Sequence, residues 1–185
     1  EGLLYVMLCD GMGSGPAASR ESKLAVRLLE QFLRAGVQAE TALKTLNAAL
    51  ALRSEEEGGF TTVDLLELDL FTGAAALYKY GAAPTYLRRG TSVSRITGAA
   101  LPAGLTDGER TTPDVSRLLL EAGDTVVLVS DGVADGREDQ WLRDALAAFD
   151  GESPKDLARE LVAAGTDEAG PRDDRTALVV RLSAR

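Results

Sequence analysis

The chain has 185 residues, 45% of them hydrophobic, enough for one domain with a substantial core. Lys and Arg number 20 against 29 Asp and Glu, a formal charge of −9, which argues against a basic nucleic-acid surface as the main function. There is no histidine and one cysteine, so a Ser-His-Asp triad, a Cys-His pair, an imidazole zinc site and an internal disulfide are all excluded. Any metal chemistry must therefore rest on oxygen ligands, which suit Mg²⁺ or Mn²⁺. No apolar stretch approaches the ~20 residues needed to span a bilayer.

In chain order, residues 3–8 (LLYVML) predict a buried strand that delivers Asp10 at its end. Cys9 reads as a small core residue of that strand. Glycines at 11, 13 and 15 allow positive φ or close backbone approach. Residues 16–34 predict a helix with Pro16 in its first turn and Leu24, Leu28, Leu29, Phe32 and Leu33 on its apolar face. Gly36 ends it. A second helix is expected over 39–53, with Leu43, Leu46 and Leu50 on one side, then a charged loop over 54–59. Strands follow at 60–70 and 74–80, joined by a turn at 71–73. Gly81-Ala82-Ala83-Pro84 breaks the chain. Residues 85–88 and 92–96 predict a hairpin across Arg89-Gly90, and 97–114 reads as irregular. A further hairpin is expected from 117–120 and 125–129 around the turn 121–124. Helices over 137–149 and 154–164 and a strand over 177–182 complete the pattern. Helices inserted early, antiparallel hairpins, then helices and a closing strand describe an α+β fold rather than a doubly wound parallel sheet.

Three strands carry an aspartate at one end. Asp10-Gly11 follows the first strand, Ser130-Asp131-Gly132 follows Val126-Val127-Leu128-Val129, and Asp173-Asp174-Arg175-Thr176 precedes the last strand. An Asp-Gly pair alone suits a turn. Here both pairs lead through a loop into a helix, which a tight hairpin does not do. If the three ends meet, Asp10, Asp131 and Asp173 form an acidic cluster that a hard divalent cation would resolve.

Asp10-Gly11-Met12-Gly13-Ser14-Gly15 with Glu21-Ser22, then Phe60-Thr61-Thr62-Val63-Asp64, Lys79-Tyr80-Gly81-Ala82-Ala83-Pro84, Ala122-Gly123-Asp124, Ser130-Asp131-Gly132-Val133 and Asp173-Asp174-Arg175-Thr176 occur in one order along nearly the whole chain. This set resembles the bacterial PPM (protein phosphatase 2C-like) serine/threonine phosphatases, of the type of the stage II sporulation protein E phosphatase domain. The resemblance implies one PPM-type domain over 1–185, an α-β-β-α sandwich of antiparallel sheets with two Mn²⁺ or Mg²⁺ ions at one end. It implies that Asp10 bridges both metals, that the Gly11 carbonyl binds the second, and that Asp131 and Asp173 complete the first, with Asp174 the alternative to Asp173. Asp10, Asp131 and Asp173 would then support attack of activated water on a phosphoserine or phosphothreonine. The substrate it implies is a phosphorylated anti-anti-sigma-factor-like protein, under an upstream regulatory or sensor domain, in the cytoplasm, with no nucleic acid and no membrane contact from this segment.

Met12 stands where many eukaryotic relatives have histidine, a candidate general acid. The sporulation subgroup shares the methionine. Only nine residues precede Asp10, so the first strands of the fold, and an acidic ligand of the second metal, are expected to be missing. The edge left exposed could pair with a second copy to give a dimer. The two early helices resemble the subgroup's regulatory switch element, for which Gly13 and Gly15 would serve as a hinge. The competing expectation is a phosphatase-fold binding module without catalysis. A receiver domain is disfavoured by the lack of β-α alternation, and a P-loop by the lack of a following Lys-Ser/Thr.

Overall fold

The computed structural model describes residues 2–13, 15–57, 59–105, 111–150, 153–165 and 174–184, the side chains of 54–57 excepted. Among them are two antiparallel four-stranded sheets, each flanked by helices, the α+β architecture expected above. The chain divides into two compact units, Glu1–Ala82 with Gly98–Leu118, and Ala83–Thr97 with Leu119–Arg185.

The first unit holds β1 (Leu3–Gly11), α1 (Pro16–Arg34), α2 (Ala39–Glu57), β2 (Thr61–Asp69), β3 (Ala74–Tyr80) and β6 (Asp114–Leu119), in the sheet order β1-β2-β3-β6. Side chains alternate across a strand, so one face of this sheet is set by the odd residues of β1 and β2. Tyr5, Met7, Cys9, Val63, Leu65, Tyr78 and Tyr80 pack there with Leu29, Leu43, Leu46 and Leu50 of α1 and α2. The other face carries Asp64, Leu66, Leu68, Leu77 and Lys79, all buried.

The second unit holds β4 (Thr85–Arg89), β5 (Ser92–Ile96), β7 (Thr125–Val129), α3 (Gln140–Ala148), α4 (Pro154–Ala164) and β8 (Ala177–Arg181), in the order β5-β4-β7-β8. Tyr86, Val127 and Val129 meet Leu142, Leu146, Leu157 and Leu161 in its core. No helix among the described residues is long and apolar enough to cross a membrane.

Four expectations need correction. The strand before Asp10 is half-buried rather than buried, because among the described residues β1 pairs only with β2 and forms the sheet's edge. It also runs through Asp10 to Gly11. The charged stretch after Arg53 continues α2 to Glu57, since consecutive glutamates favour helix. Helix α3 starts at Gln140, three residues later than expected. Finally, β6 and β7 are not a hairpin: β6 lies beside β3 and β7 between β4 and β8. Their burial explains this. β6 alternates exposed and half-buried residues, as an edge strand does, whereas all five residues of β7 are buried, as a central strand requires.

The turn before β7 is held by Asp124. Its carboxylate accepts from Arg89 Nε at 2.9 Å and Nη2 at 2.6 Å and from the Glu121 amide at 2.8 Å. The Arg89 hydrogen bond, opposed by burial and helped by the Glu121 amide, lowers the Asp124 pKa from its ordinary 3.8. A depressed folded-state pKa means the stabilisation is complete above 3.8 and is lost as pH falls through the folded value. Arg89 is half exposed, so the expected contribution is only about 1 kcal/mol. Urea unfolding at pH 6 and pH 3 should show a smaller acid loss for Asp124→Asn than for the parent chain. Equal losses would assign acid sensitivity elsewhere.

Candidate metal centre

Asp10 and Gly11 close β1 opposite Thr62 and Thr61. The strand pairing extends one step further, the Met12 amide donating to the Phe60 carbonyl at 3.1 Å. The Asp10 carbonyl accepts from the Thr61 hydroxyl at 2.8 Å. Thr61 is wholly buried, and its own backbone exchanges hydrogen bonds with Ala103 at 3.0 and 2.8 Å. The peptide between Asp10 and Gly11 is thus oriented by a side chain as well as by the ladder.

Gly11 is required by space. A Cβ there would lie 2.0 Å from the Ala18 carbonyl oxygen of α1. Strand end and helix are in direct backbone contact, with no room for a side chain at position 11. Gly13 and Gly15 differ: both have positive φ (88° and 82°) with open space around them. They supply conformation, where Gly11 supplies proximity. Gly15 also precedes α1 without a side-chain cap, and its carbonyl accepts from the Ser19 amide at 3.1 Å.

Glu21, singled out above only as part of a sequence match, ties α1 to the start of β2. One oxygen meets Arg53 of α2 at 3.4 Å, and the carboxylate rests on Gly59, where a Cβ would stand 2.6 Å from Glu21 Cδ. Its second oxygen is buried and has no hydrogen-bond partner among the described residues.

Strand register puts Leu8 opposite Asp64 and Asp64 opposite Lys79, so Asp10, Asp64 and Lys79 share the sheet face away from the helices. Lys79 Nζ donates to Asp64 Oδ2 at 2.7 Å, with both side chains almost inaccessible. Burial lowers the Lys79 pKa below its usual range, against the raising effect of Asp64. Cys9 points to the helix side. Burial, then the Asp64 and Asp10 carboxylates, push its thiol up to about 12, in keeping with the core role expected for it.

In the second unit, Asp131 follows β7 on an exposed turn. Ser130 fixes that turn. Its amide donates to the Thr176 carbonyl at 3.0 Å, and its hydroxyl donates to the Asp174 carbonyl at 3.1 Å and accepts from the Thr176 amide at 2.9 Å. Its carbonyl accepts from Val133 and Ala134. Asp131 is thereby held beside the segment entering β8. Asp173 lies outside the described residues. The loop from Asp131 ends at Asp139, which is buried and meets Tyr86 Oη at 2.7 Å, Arg95 at 3.2 Å and Arg143 at 3.3 Å. Burial would raise the Asp139 pKa, but these donors win and hold it low.

Among the described residues, no group of three His, Cys, Asp or Glu side chains gathers closely enough to hold a metal. Asp10 and the Gly11 carbonyl in the first unit, and Asp131 in the second, are oxygen donors of the kind that Mg²⁺ and Mn²⁺ take. Thr61 and Ser130 entered the sequence reading only as members of matched motifs, with no role of their own, and Asn47 escaped it. Asn47 left a signal, since it sits four residues after Leu43 on the apolar stripe of α2 and is fully buried.

Residues 1–183 match the family described as Stage II sporulation protein E (SpoIIE). The chain is 31% identical over 182 residues to Stage II sporulation protein E of Bacillus subtilis, covering 95% of this chain and 22% of that protein. It therefore spans about a fifth of that relative's length. The solved structure of the PP2C phosphatase domain and a fragment of the regulatory domain of SpoIIE from Bacillus subtilis superposes with TM-score 0.84 at 30% identity, over 98% of this chain and 57% of that one. A Mn-presoaked structure of the same protein's phosphatase domain gives TM-score 0.61 at 27% identity, over 100% and 86%.

Proposed function

The chain belongs to the stage II sporulation protein E (SpoIIE) family, and from that membership we propose that it is a metal-dependent protein-serine/threonine phosphatase domain acting on a phosphoserine. The observation that carries this reading is the end of β1, where Asp10 closes an apolar strand and Gly11 packs directly on the Ala18 backbone of α1. Two Mn²⁺ or Mg²⁺ ions, when bound, would supply an activated water and neutralise the phosphoryl oxygens. Asp10 and the Gly11 carbonyl would hold one side of the pair, and Asp131 with Asp173 the other. Thr61 and Ser130 orient the backbone on which Asp10 and Asp131 stand. Met12, exposed and without a transferable proton, leaves protonation of the departing serine to solvent.

By kinship, the substrate would be a phosphorylated anti-anti-sigma-factor-like protein in the cytoplasm, and an upstream regulatory domain would control the site. That a regulatory-domain fragment accompanies the phosphatase domain in the Bacillus subtilis structure supports the second point.

Hydrolysis of p-nitrophenyl phosphate tests the reading. Turnover should appear with Mn²⁺, disappear with EDTA, and fall to the metal-free background in Asp131→Asn. Asp131 is exposed and its replacement is isosteric, so the variant should remain folded. Asp173→Asn should behave as Asp131→Asn does, and Asp174→Asn should retain activity. A folded chain that turns over neither this ester nor a phosphoserine peptide with any divalent metal would instead be a phosphatase-fold binding module.

A further inference from the structure

We propose that Asn47 of α2 is a positioning residue that sets the Asp10–Gly11 peptide through a relay of Gly104, Ala103 and Thr61. The inference rests on the preceding reading for its purpose, but its geometry stands alone. Asn47 Oδ1 accepts from the Gly104 amide at 2.9 Å. Leu50, one turn on, packs against Gly104 so closely that a Cβ there would meet Leu50 Cβ at 2.7 Å. Helix α2 therefore grips residue 104 both by a hydrogen bond and by contact. Ala103, adjacent, exchanges both backbone hydrogen bonds with Thr61. The Thr61 hydroxyl then donates to the Asp10 carbonyl at 2.8 Å.

The choice of asparagine supports a role beyond packing. Position 47 belongs to a stripe of Ala39, Ala42, Leu43, Leu46 and Leu50, where an aliphatic side chain would suit the core. Asn47 instead is wholly buried, and its Nδ2 has no hydrogen-bond partner among the described residues. A buried amide group left so costs free energy, which a purely structural position would avoid. What the asparagine secures is the 103–104 segment, whose Ala103 backbone pairs with Thr61, the residue holding Asp10. The α1 contact reaches Gly11 separately through Ala18, so each helix of the pair has its own mechanical connection to this strand end.

Amide hydrogen exchange on the metal-free 185-residue chain tests the relay. Asn47→Leu should speed exchange at Ala103 and Met12 about tenfold, the effect of losing roughly one hydrogen bond. Exchange across residues 65–68 in the middle of β2 should not change. Thr61→Val should reproduce the effect at Met12, and Thr61→Ser should restore the parent rate. Mn²⁺ titration by calorimetry adds the consequence: Asn47→Leu and Thr61→Val should each weaken affinity about tenfold, and the double variant no further. Unchanged exchange at Met12, or an equal rise across 65–68, would overturn the relay. So would affinity losses that multiply in the double variant. A parent chain that takes up no Mn²⁺ would refute the phosphatase reading, while the exchange result would still decide the relay. Asn47→Ala, which removes the acceptor without adding a larger apolar group, replaces Asn47→Leu if the latter fails to fold.

Discussion

Gly11→Ala is expected to destabilise the chain by at least about 3 kcal/mol and to abolish Mn²⁺-dependent hydrolysis. The added Cβ would stand 2.0 Å from the Ala18 carbonyl oxygen, 2.7 Å from its carbonyl carbon and 2.9 Å from its Cα. All three atoms are backbone, so no rotamer change can relieve the clash. Either α1 moves off β1 or the end of β1 bends away from α1, and each route breaks something. Moving α1 uncovers Leu29 and Leu33 from the core. Bending the strand end disturbs the Thr61 hydroxyl on Asp10 and the Met12 pairing to Phe60. For a chain of this size the cost corresponds to a fall in Tm of roughly 6–12 °C. Gly13→Ala is the control. It meets no atom within 4 Å, so its cost is only the strain of φ 88°, about 1–2 kcal/mol. Circular-dichroism melts of the two variants decide the matter. If Gly11→Ala melts within a degree or two of Gly13→Ala, the contact with α1 is not rigid and the steric account of Gly11 fails.

Lys79→Met should cost about 3–5 kcal/mol, because it deprives a carboxylate with 1% of its side chain exposed of the ammonium it meets at 2.7 Å. The loss is the penalty of a buried charge stripped of its counterion, and is larger than the net worth of the pair. The double variant Asp64→Leu/Lys79→Met is therefore expected to recover most of that loss, since Leu66, Leu68 and Leu77 already line the same face. Urea midpoints of the parent, both single variants and the double variant give the coupling energy directly. Asp10 stands diagonally across from Asp64, one step along the shared face, at a separation of roughly 7–8 Å between Cα atoms. A stable double variant with weakened Mn²⁺ binding would show that the pair shapes the field at Asp10. A double variant as unstable as Lys79→Met would overturn the desolvation account.

Local signals in this chain act over a turn or two of helix or a single strand. Pro16 and Pro154 open helices α1 and α4 where the ring's φ suits a first turn, and the apolar periodicity carries each helix to its observed end at Arg34 and Ala164. Ala74–Tyr80 was legible because glycines punctuate both its flanks. Helix α2 runs past its expected end because glutamate, though charged, is a good helix former.

The sequence by itself determined the elements, the all-oxygen character of any metal centre, and the placing of Asp10 and Asp131 at the ends of apolar strands. Those follow from short-range sterics, residue chemistry and the absence of histidine. The tertiary structure alone decided which strands are neighbours. The turn at 121–124 has hairpin chemistry, yet the burial demands of β7 place it between β4 and β8, and β6 pairs with β3. Only the fold could show that Gly11 faces a helix carbonyl seven residues on, that Ser130 meets Thr176, or that a buried asparagine at 47 reaches Gly104. Those partners lie seven to 57 residues apart, and no local periodicity or turn preference encodes a contact that chain reversal and packing create.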